Sequence, residues 1–592
     1  MVVVCLIEIS CIRVKCFAYY DKIYIENTIP HICMIQNHRK DYTIILLPFL
    51  LASISGLVLL STSTSPGYAS TENQNTGTAA LFSPNQIAAG GPIPPNYTLA
   101  QQESECVASE KNPPWYPTML SYEHHDGNRT HLYECATFAG SFTGPNQVYA
   151  YRSPERYYTP SMMATRGINE MYVYGGALAN AVPAPTATFV AKVEPGSLKE
   201  LWRTYLVNQN ISDLWTGGGS IESIDGDIIA ITNTFLYRLN GTTGEVEAEL
   251  SLPTGASLPN NSYFNGMGGW ADGTLVMKNL ARAPGCTLPG FFALANCPNL
   301  EDTPPSALVA VDSETFKVLD WIQMEEMIGG RITATHYNGT DYAYATGQTN
   351  IYRYEWNGQN LTLDENWGPV PYLLPNQTGA SACGIMGEWV ICMDNGGQPT
   401  DVPLSVIAIS QANASNINRI EPMPLEPGQV SYIPSMVALD EENNRIYAMD
   451  PGPGKSVGID LDPATGNMSL AWSEDQSTLS WMVLIGPADQ RVLVGTNILT
   501  NVTNPVDWQS GPVGANYVEQ VVWRDAETGR QLAASDYFSP MSAGFQVWAG
   551  YGGIIYEGLN DGNIMALKVL PATNATSTTS TAAGQNSTSV VG

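Results

Sequence analysis

Short apolar runs alternate with polar positions along most of this chain, and most runs end in Gly, Asp, Asn or Ser/Thr. Period-two alternation bounded by such residues predicts β-strands joined by tight turns. One strand–turn–strand pattern recurs five times: FVAKVEPGSLKELW (189–202), FLYRLNGTTGEVEAEL (235–250), LVAVDSETFKVLDW (308–321), GIDLDPATGNMSLAW (458–472) and VVWRDAETGRQLAA (521–534). Each turn carries an acidic or amide residue with Ser or Thr three positions later: Glu194/Ser197, Asn240/Thr243, Asp312/Thr315, Asp462/Thr465 and Asp525/Thr528. Gly244, Gly466 and Gly529 follow directly in three of them. A short polar side chain bonds backbone amides across such a turn, and Gly takes the positive φ needed to return. GSLKELWRTYL looks helical in isolation, but its turn register matches its siblings and predicts a strand.

Successive turns lie 46, 72, 150 and 63 residues apart. The long gap holds two weaker copies, IYRYEWNGQNLTL (351–363) and VIAISQANASNINRIEPMPL (406–425), which brings the count to seven. Strand candidates also precede the hairpins, as in SIESIDGDIIAITN, YFNGMGGWADGTLVMKN and MVALDEENNRIYAMD. This spacing is that of four-stranded β-propeller blades. The last segment, GGIIYEGLNDGNIMALKVLP (552–571), supplies inner strands with no outer partner after it. A propeller closes its ring or leaves an exposed edge, so NQVYAYRSP (146–154) is the predicted donor of a closing strand. The expected fold is all-β: a single propeller over residues 106–571, with eight blades favoured and the last shared by both chain ends. Seven blades is the alternative.

Composition narrows what such a ring does. Charged residues are only 14% of the 592, against 54 Gly and 40 Pro, which argues against coiled coils and helical solenoids. The net charge of −29 argues against nucleic acid as a partner, because phosphate binding needs Lys and Arg. His38-Arg39-Lys40 precede an apolar run over 43–60, which ends near Gly67-Tyr68-Ala69. That is the pattern of a secretory signal cleaved near Ser70, so residues 1–69 are the expected leader. An uncleaved anchor is the alternative, and it is the only membrane attachment the chain suggests. Met34 makes a natural start, with residues 1–33 then an over-extension. Without the leader, 21 basic and 51 acidic residues leave a charge of −30, so the acidity belongs to the body. Residues 70–105 read as a flexible arm, and 572–592 as a disordered Ser/Thr-rich tail.

Six cysteines beyond the leader form local couples: Cys106 with Cys135, Cys286 with Cys297, and Cys383 with Cys392. Short even pairings in an exported chain predict three disulfides. In ACGIMGEWVICM a two-residue turn at Gly387-Glu388 puts Cys383 directly opposite Cys392. Glycosylation sequons occur at Asn96, Asn128, Asn210, Asn240, Asn260, Asn338, Asn360, Asn376, Asn413, Asn467, Asn501, Asn574 and Asn586. Together these features place the protein outside the cell or on its surface.

The phrase LVAVDSETFKVLDW and its relatives resemble the PQQ-like, quinoprotein-type β-propeller repeats over roughly residues 145–571. The resemblance implies architecture; propellers host many functions. Quinoprotein dehydrogenases hold a disulfide between adjacent cysteines against their cofactor, and this chain has no adjacent cysteines, which disfavours PQQ.

One constellation stands out: Glu123-His124-His125-Asp126-Gly127-Asn128-Arg129-Thr130-His131. Glu123, His124, His125 and His131 are candidate ligands for a transition metal. A two-residue turn at Asp126-Gly127 groups His124 with His131, whereas a three-residue loop groups Glu123, His125 and His131. The competing expectation is a solvated hairpin tip with a glycan on Asn128. Asp460 and Asp462 are a weaker calcium candidate. Trp202, Trp321 and Trp472 are expected to pack between blades. No phosphate-cradling Gly-rich loop and no GxSxG elbow is present. The expected role is an extracellular or cell-surface binding or scaffold module for a protein or glycan ligand. The alternative is an extracellular enzyme, a metal-dependent oxidoreductase or a hydrolase/lyase on glycans, with its site at the channel.

Overall fold

The computed structural model describes residues 3–8, 13–18, 124–157, 160–167, 170–176, 187–208, 220–224, 226–288, 297–500, 517–540 and 547–572. The chain divides into two units, 1–76 and 77–592. In the first, strands Val3–Glu8 and Arg13–Ala18 pair antiparallel. The apolar run at 43–60, the arm at 70–105 and residues 573–592 lie outside the described residues.

The second unit contains eight sheets arranged as a ring, each with four antiparallel strands; two of them carry a short fifth strand, Val370–Pro371 in one and Leu132–Tyr133, parallel, in the other. In chain order, blade 1 spans 160–208, blade 2 220–251, blade 3 262–323, blade 4 332–363, blade 5 383–420, blade 6 438–475 and blade 7 483–534. Blade 8 takes Val547–Ala549, Ile554–Gly558 and Ile564–Pro571 from the C-terminal end and Asn146–Arg152 from the other end. The closing strand runs in register from Met565↔Arg152 to Pro571↔Asn146. The fold is therefore an eight-bladed β-propeller, closed by the strand that the unpartnered 552–571 segment demands.

The seven hairpins read from the sequence are the third and fourth strands of blades 1 to 7. In the five strongest, the residue after the Ser/Thr donates its N–H to the carbonyl of the acidic or amide residue, as in Gly244 to Asn240 at 2.8 Å and Phe316 to Asp312 at 2.9 Å. That position always has positive φ: Gly244 at 76°, Gly466 at 73° and Gly529 at 75°, but also Leu198 at 54° and Phe316 at 56°. Gly is needed at three of them for a second reason. A Cβ on Gly466 would meet the Trp389 ring of the preceding blade at 2.3 Å, one on Gly529 would meet Trp472 at 2.7 Å, and one on Gly244 would meet Trp202 at 2.6 Å. The indole N–H groups of Trp389 and Trp472 donate to Pro463 and Ala526 of the following blade, at 2.9 and 3.0 Å. One tryptophan thus seals each of these blade junctions. Trp321, expected to do the same, is 43% exposed. Its blade 3 strand alternates, and Trp321 shares the outward side with Leu319.

The core lies between blades. Ile391 and Met393 of blade 5 pack with Ile446, Tyr447 and Met449 of blade 6, all fully or nearly fully buried. Strand order also fixes two ring faces: connections between strands 1–2 and 3–4 emerge on one, those between strands 2–3 and 4–1 on the other. We call them the turn face and the loop face.

Candidate functional site

The His-rich segment lies within the ring. Gly127, Asn128, Thr130 and His131 present their carbonyls in sequence to Ala334, Ile385, Leu439 and Leu484, at 3.0, 2.8, 2.8 and 2.8 Å. These four donors sit on the innermost strands of blades 4, 5, 6 and 7 in order. Residues 127–131 therefore cross the channel wall as a belt, one hydrogen bond per blade. Leu132–Tyr133 then pairs parallel with Leu484–Ile485. Arg129 points back. Its Nε donates to Ile332 O at 2.6 Å, and its Nη2 to Gly266 O and Met267 O at 3.3 and 3.2 Å, which ties in blade 3. Below the belt, Arg491 of blade 7 meets Asp440 and Glu442 of blade 6 and reaches Glu134 at 3.9 Å.

The expected solvated tip is not what forms. Inner-strand N–H groups on four blades need acceptors, and the segment's carbonyls supply them, so the chain is drawn in. The path is irregular: His124, His125, Arg129 and His131 all have positive φ, between 55° and 76°. Asp126 braces the bend, accepting from the Thr130 N–H at 3.0 Å and its hydroxyl at 2.7 Å.

Of the two groupings left open, the structure brings together His124 and His131. Their rings stack at 4.6 Å, with His124 Nδ1 against His131 Nε2. His131 Nδ1 faces Met482 O at 2.9 Å, so it carries the proton and Nε2 is the acceptor for His124 Nδ1–H. Burial holds His131 down to about 3 and His124 well below the usual imidazole range; Arg129 and Arg331 add to both effects. Trp481 covers the pair, 4.1 Å from the His124 ring, and the Arg331 guanidinium lies over Trp481 at 4.8 Å. His125 turns away to Tyr133, at 4.5 Å. Glu123 lies outside the described residues. Among the described residues, no group of three or more His, Cys, Asp or Glu side chains is placed to hold a metal. The calcium candidate does not converge either: Asp460 pairs with Arg445 at 2.7 Å, while Asp462 bonds Thr465 in its turn.

Disulfides join Cys286 to Cys297 and Cys383 to Cys392, the latter directly opposed in register. Cys106 lies outside the described residues, and its expected partner Cys135 is buried. Two disulfides are compatible with an extracellular location. Among the described residues, no helix is long and apolar enough to cross a membrane.

Sequence reasoning missed Arg129, Trp481 and the buried acids Glu519 and Glu557. Only the acids left a signal. Glu519 sits on the same side of its strand as Val521 and Trp523, and Glu557 interrupts the apolar run IIYEGL.

These features define an eight-bladed propeller whose inner strands in blades 4 to 7 are lined by residues 127–131. No protein-family profile matches the chain, and no curated protein matches it. Solved structures similar to it include BamB from Moraxella catarrhalis, 10% identical, covering 71% of this chain and 99% of that one, with a TM-score of 0.42. Others are Sqt1 from Saccharomyces cerevisiae, 9% identical over 73% and 100% with a TM-score of 0.43, and a quinohemoprotein alcohol dehydrogenase from Comamonas testosteroni, 10% identical over 81% and 74% with a TM-score of 0.41. At this similarity the fold assignment rests on the strand order described above. The chain has no adjacent cysteines of the kind the resemblance ties to PQQ, and the inner strands of four blades bond the belt.

Proposed function

We propose that this protein is an exported, N-glycosylated binding module that recognises an extracellular protein or glycan through its loop face. The observation that carries this reading is the belt along the channel wall, whose side chains are engaged with the ring itself. In a propeller enzyme the channel mouth is where reactive groups converge. Here His124 and His131 bond each other and a backbone carbonyl as neutral rings, and Arg129 donates to three carbonyls. The sequons add direction. Asn240, Asn338, Asn360, Asn413 and Asn467 lie in connections of the turn face; Asn260 and Asn376 lie in those of the loop face. Glycans at these positions would crowd the turn face and leave the loop face, with its Cys286–Cys297 loop, the more accessible.

The test is a binding screen of the secreted protein against extracellular glycans and surface proteins of its source, in two forms. One carries a new sequon on the loop face, made by combining Asp302→Asn with Pro304→Ser around the native Thr303. The other carries one on the turn face. Binding lost only with the loop-face glycan supports the proposal. Binding lost only with the turn-face glycan, or turnover of a glycan or redox substrate by the unmodified protein, overturns it.

A further inference from the structure

Where blade 7 meets blade 8, one face of blade 7 begins apolar and ends polar. Val494 and, on the next strand, Val521 and Trp523 pack with Val547, Trp548 and Ala549 of blade 8. Two residues further along the same faces come Thr496 and Glu519, diagonal neighbours in the ladder. Both are fully buried. Blade 8 adds Glu557, also fully buried, and neither of its carboxylate oxygens has a hydrogen-bond donor among the described residues. Glu519 accepts from the Thr496 hydroxyl at 3.2 Å. Behind Thr496 stand two more hydroxyls, Thr478 Oγ1 at 2.9 Å and Ser480 Oγ at 3.1 Å, which bond each other at 2.9 Å.

A buried carboxylate without donors is among the costliest groups a protein can hold, and a second one nearby makes it worse. Burial first and Glu519 second both push Glu557 well above the usual carboxylate range. Among the described residues, the other buried acids of the ring have donors: Asp394 takes the Ser405 N–H, Asp450 those of Tyr432 and Gly452, and Asp440 the Asn443 amide. Glu557 is the exception, and Glu519 and Thr496 bring oxygen groups to the same junction. Hard cations prefer such donors; calcium takes six to eight oxygens and tolerates irregular geometry.

We propose that Glu557, Glu519 and the Thr496 hydroxyl bind a calcium ion that pins blade 8, the blade shared by both chain ends, to blade 7. Two carboxylates and a hydroxyl offer five oxygens, with water completing the shell. So few protein ligands place the site in the weak extracellular class, with Kd on the order of 10⁻⁴–10⁻³ M. At about 10 mM calcium that means a 10- to 100-fold shift toward the folded state, about 1.4–2.7 kcal/mol.

The experiment uses the full secreted chain, stripped with EDTA at pH 8 and melted in a calorimeter with and without 10 mM CaCl2, alongside Glu557→Gln and Thr496→Val. The expected result is a Tm higher by about 1.5–3 °C with calcium in the native protein, less with magnesium, and unchanged by calcium in both variants. Glutamine keeps the shape and removes the buried charge, so the stripped Glu557→Gln protein should melt at or above the stripped native one. If it fails to fold, Thr496→Val carries the same comparison. A native Tm indifferent to calcium overturns the site, as does a calcium shift that persists in the variants. A calcium-independent Tm that rises steadily from pH 8 to pH 5 and is flat in Glu557→Gln assigns the pair a shared proton instead, and equally overturns it.

Discussion

Replacing Arg129 by Met tests whether the belt holds the ring together or merely fills it. The guanidinium makes three hydrogen bonds to carbonyls of blades 3 and 4, from a fully buried position. Hydrogen bonds from a charged donor contribute about 1.5–3 kcal/mol each, or roughly 5–9 kcal/mol together. Methionine removes them but also removes a charge that was expensive to bury, so the net loss expected is about 3–5 kcal/mol. A ring of about 450 residues unfolds with an entropy near 0.9 kcal/mol/K, so Tm should fall by about 3–5 °C. Calorimetry measures this directly, and hydrogen exchange should show faster exchange at the amides of Ala334, Ile385, Leu439 and Leu484. Lysine keeps the charge but lacks the fork that reaches two blades at once, and should recover less than half of the loss. Arg129→Met melting within 1 °C of the native protein would refute the idea, as would full recovery by lysine.

Other expectations follow from the same physics. Gly466→Ala puts a methyl group into the Trp389 ring at a positive φ and should cost about 2–4 kcal/mol; in a Trp389→Ala background only about 1 kcal/mol of backbone strain should remain, as a double-mutant cycle of denaturation midpoints would show. The Cys383–Cys392 bond closes a short loop, so Cys383→Ala/Cys392→Ala should lose about 2–3 kcal/mol in urea. His131 is held down to about 3 when folded but titrates near 6.5 unfolded, so its contribution is full above pH 6.5 and fades as pH falls toward 3; His131→Gln should flatten that slope in pH-dependent melts. Asp394 behaves oppositely. Burial, eased by the Ser405 bonds, raises it to about 7, so its penalty is present above pH 7 and relieved toward pH 4; Asp394→Asn should therefore help more at pH 8 than at pH 5.

Much of the architecture was legible because a blade repeats its instructions. The Asp/Asn, Ser/Thr and Gly of each turn sit at fixed offsets, and the unpartnered segment 552–571 demanded a strand from elsewhere. The opposed cysteines at 383 and 392 could be placed from the turn between them. The belt could not be read this way. Its conformation follows from inner-strand donors on four blades, all of them far from it in the chain, and residues 124–131 carry no periodicity. His124 and His131 looked like metal ligands because sequence cannot show that each already satisfies the other. Trp321 illustrates the converse: its strand repeats the pattern of its siblings, yet alternation alone does not say which side meets the next blade.

The shared blade also sets a clock. Residues 146–152 are among the first of the ring to be synthesised and 564–571 the last, yet they must lie side by side. Contacts across such a separation are entropically slow to form. The ring stays open until its last residues have emerged from the ribosome and, in an exported chain, passed the membrane. A product cut short anywhere in the body keeps a raw edge on each side of the gap and stays open to proteases. Completeness of synthesis is thereby checked by geometry, before any ligand is met.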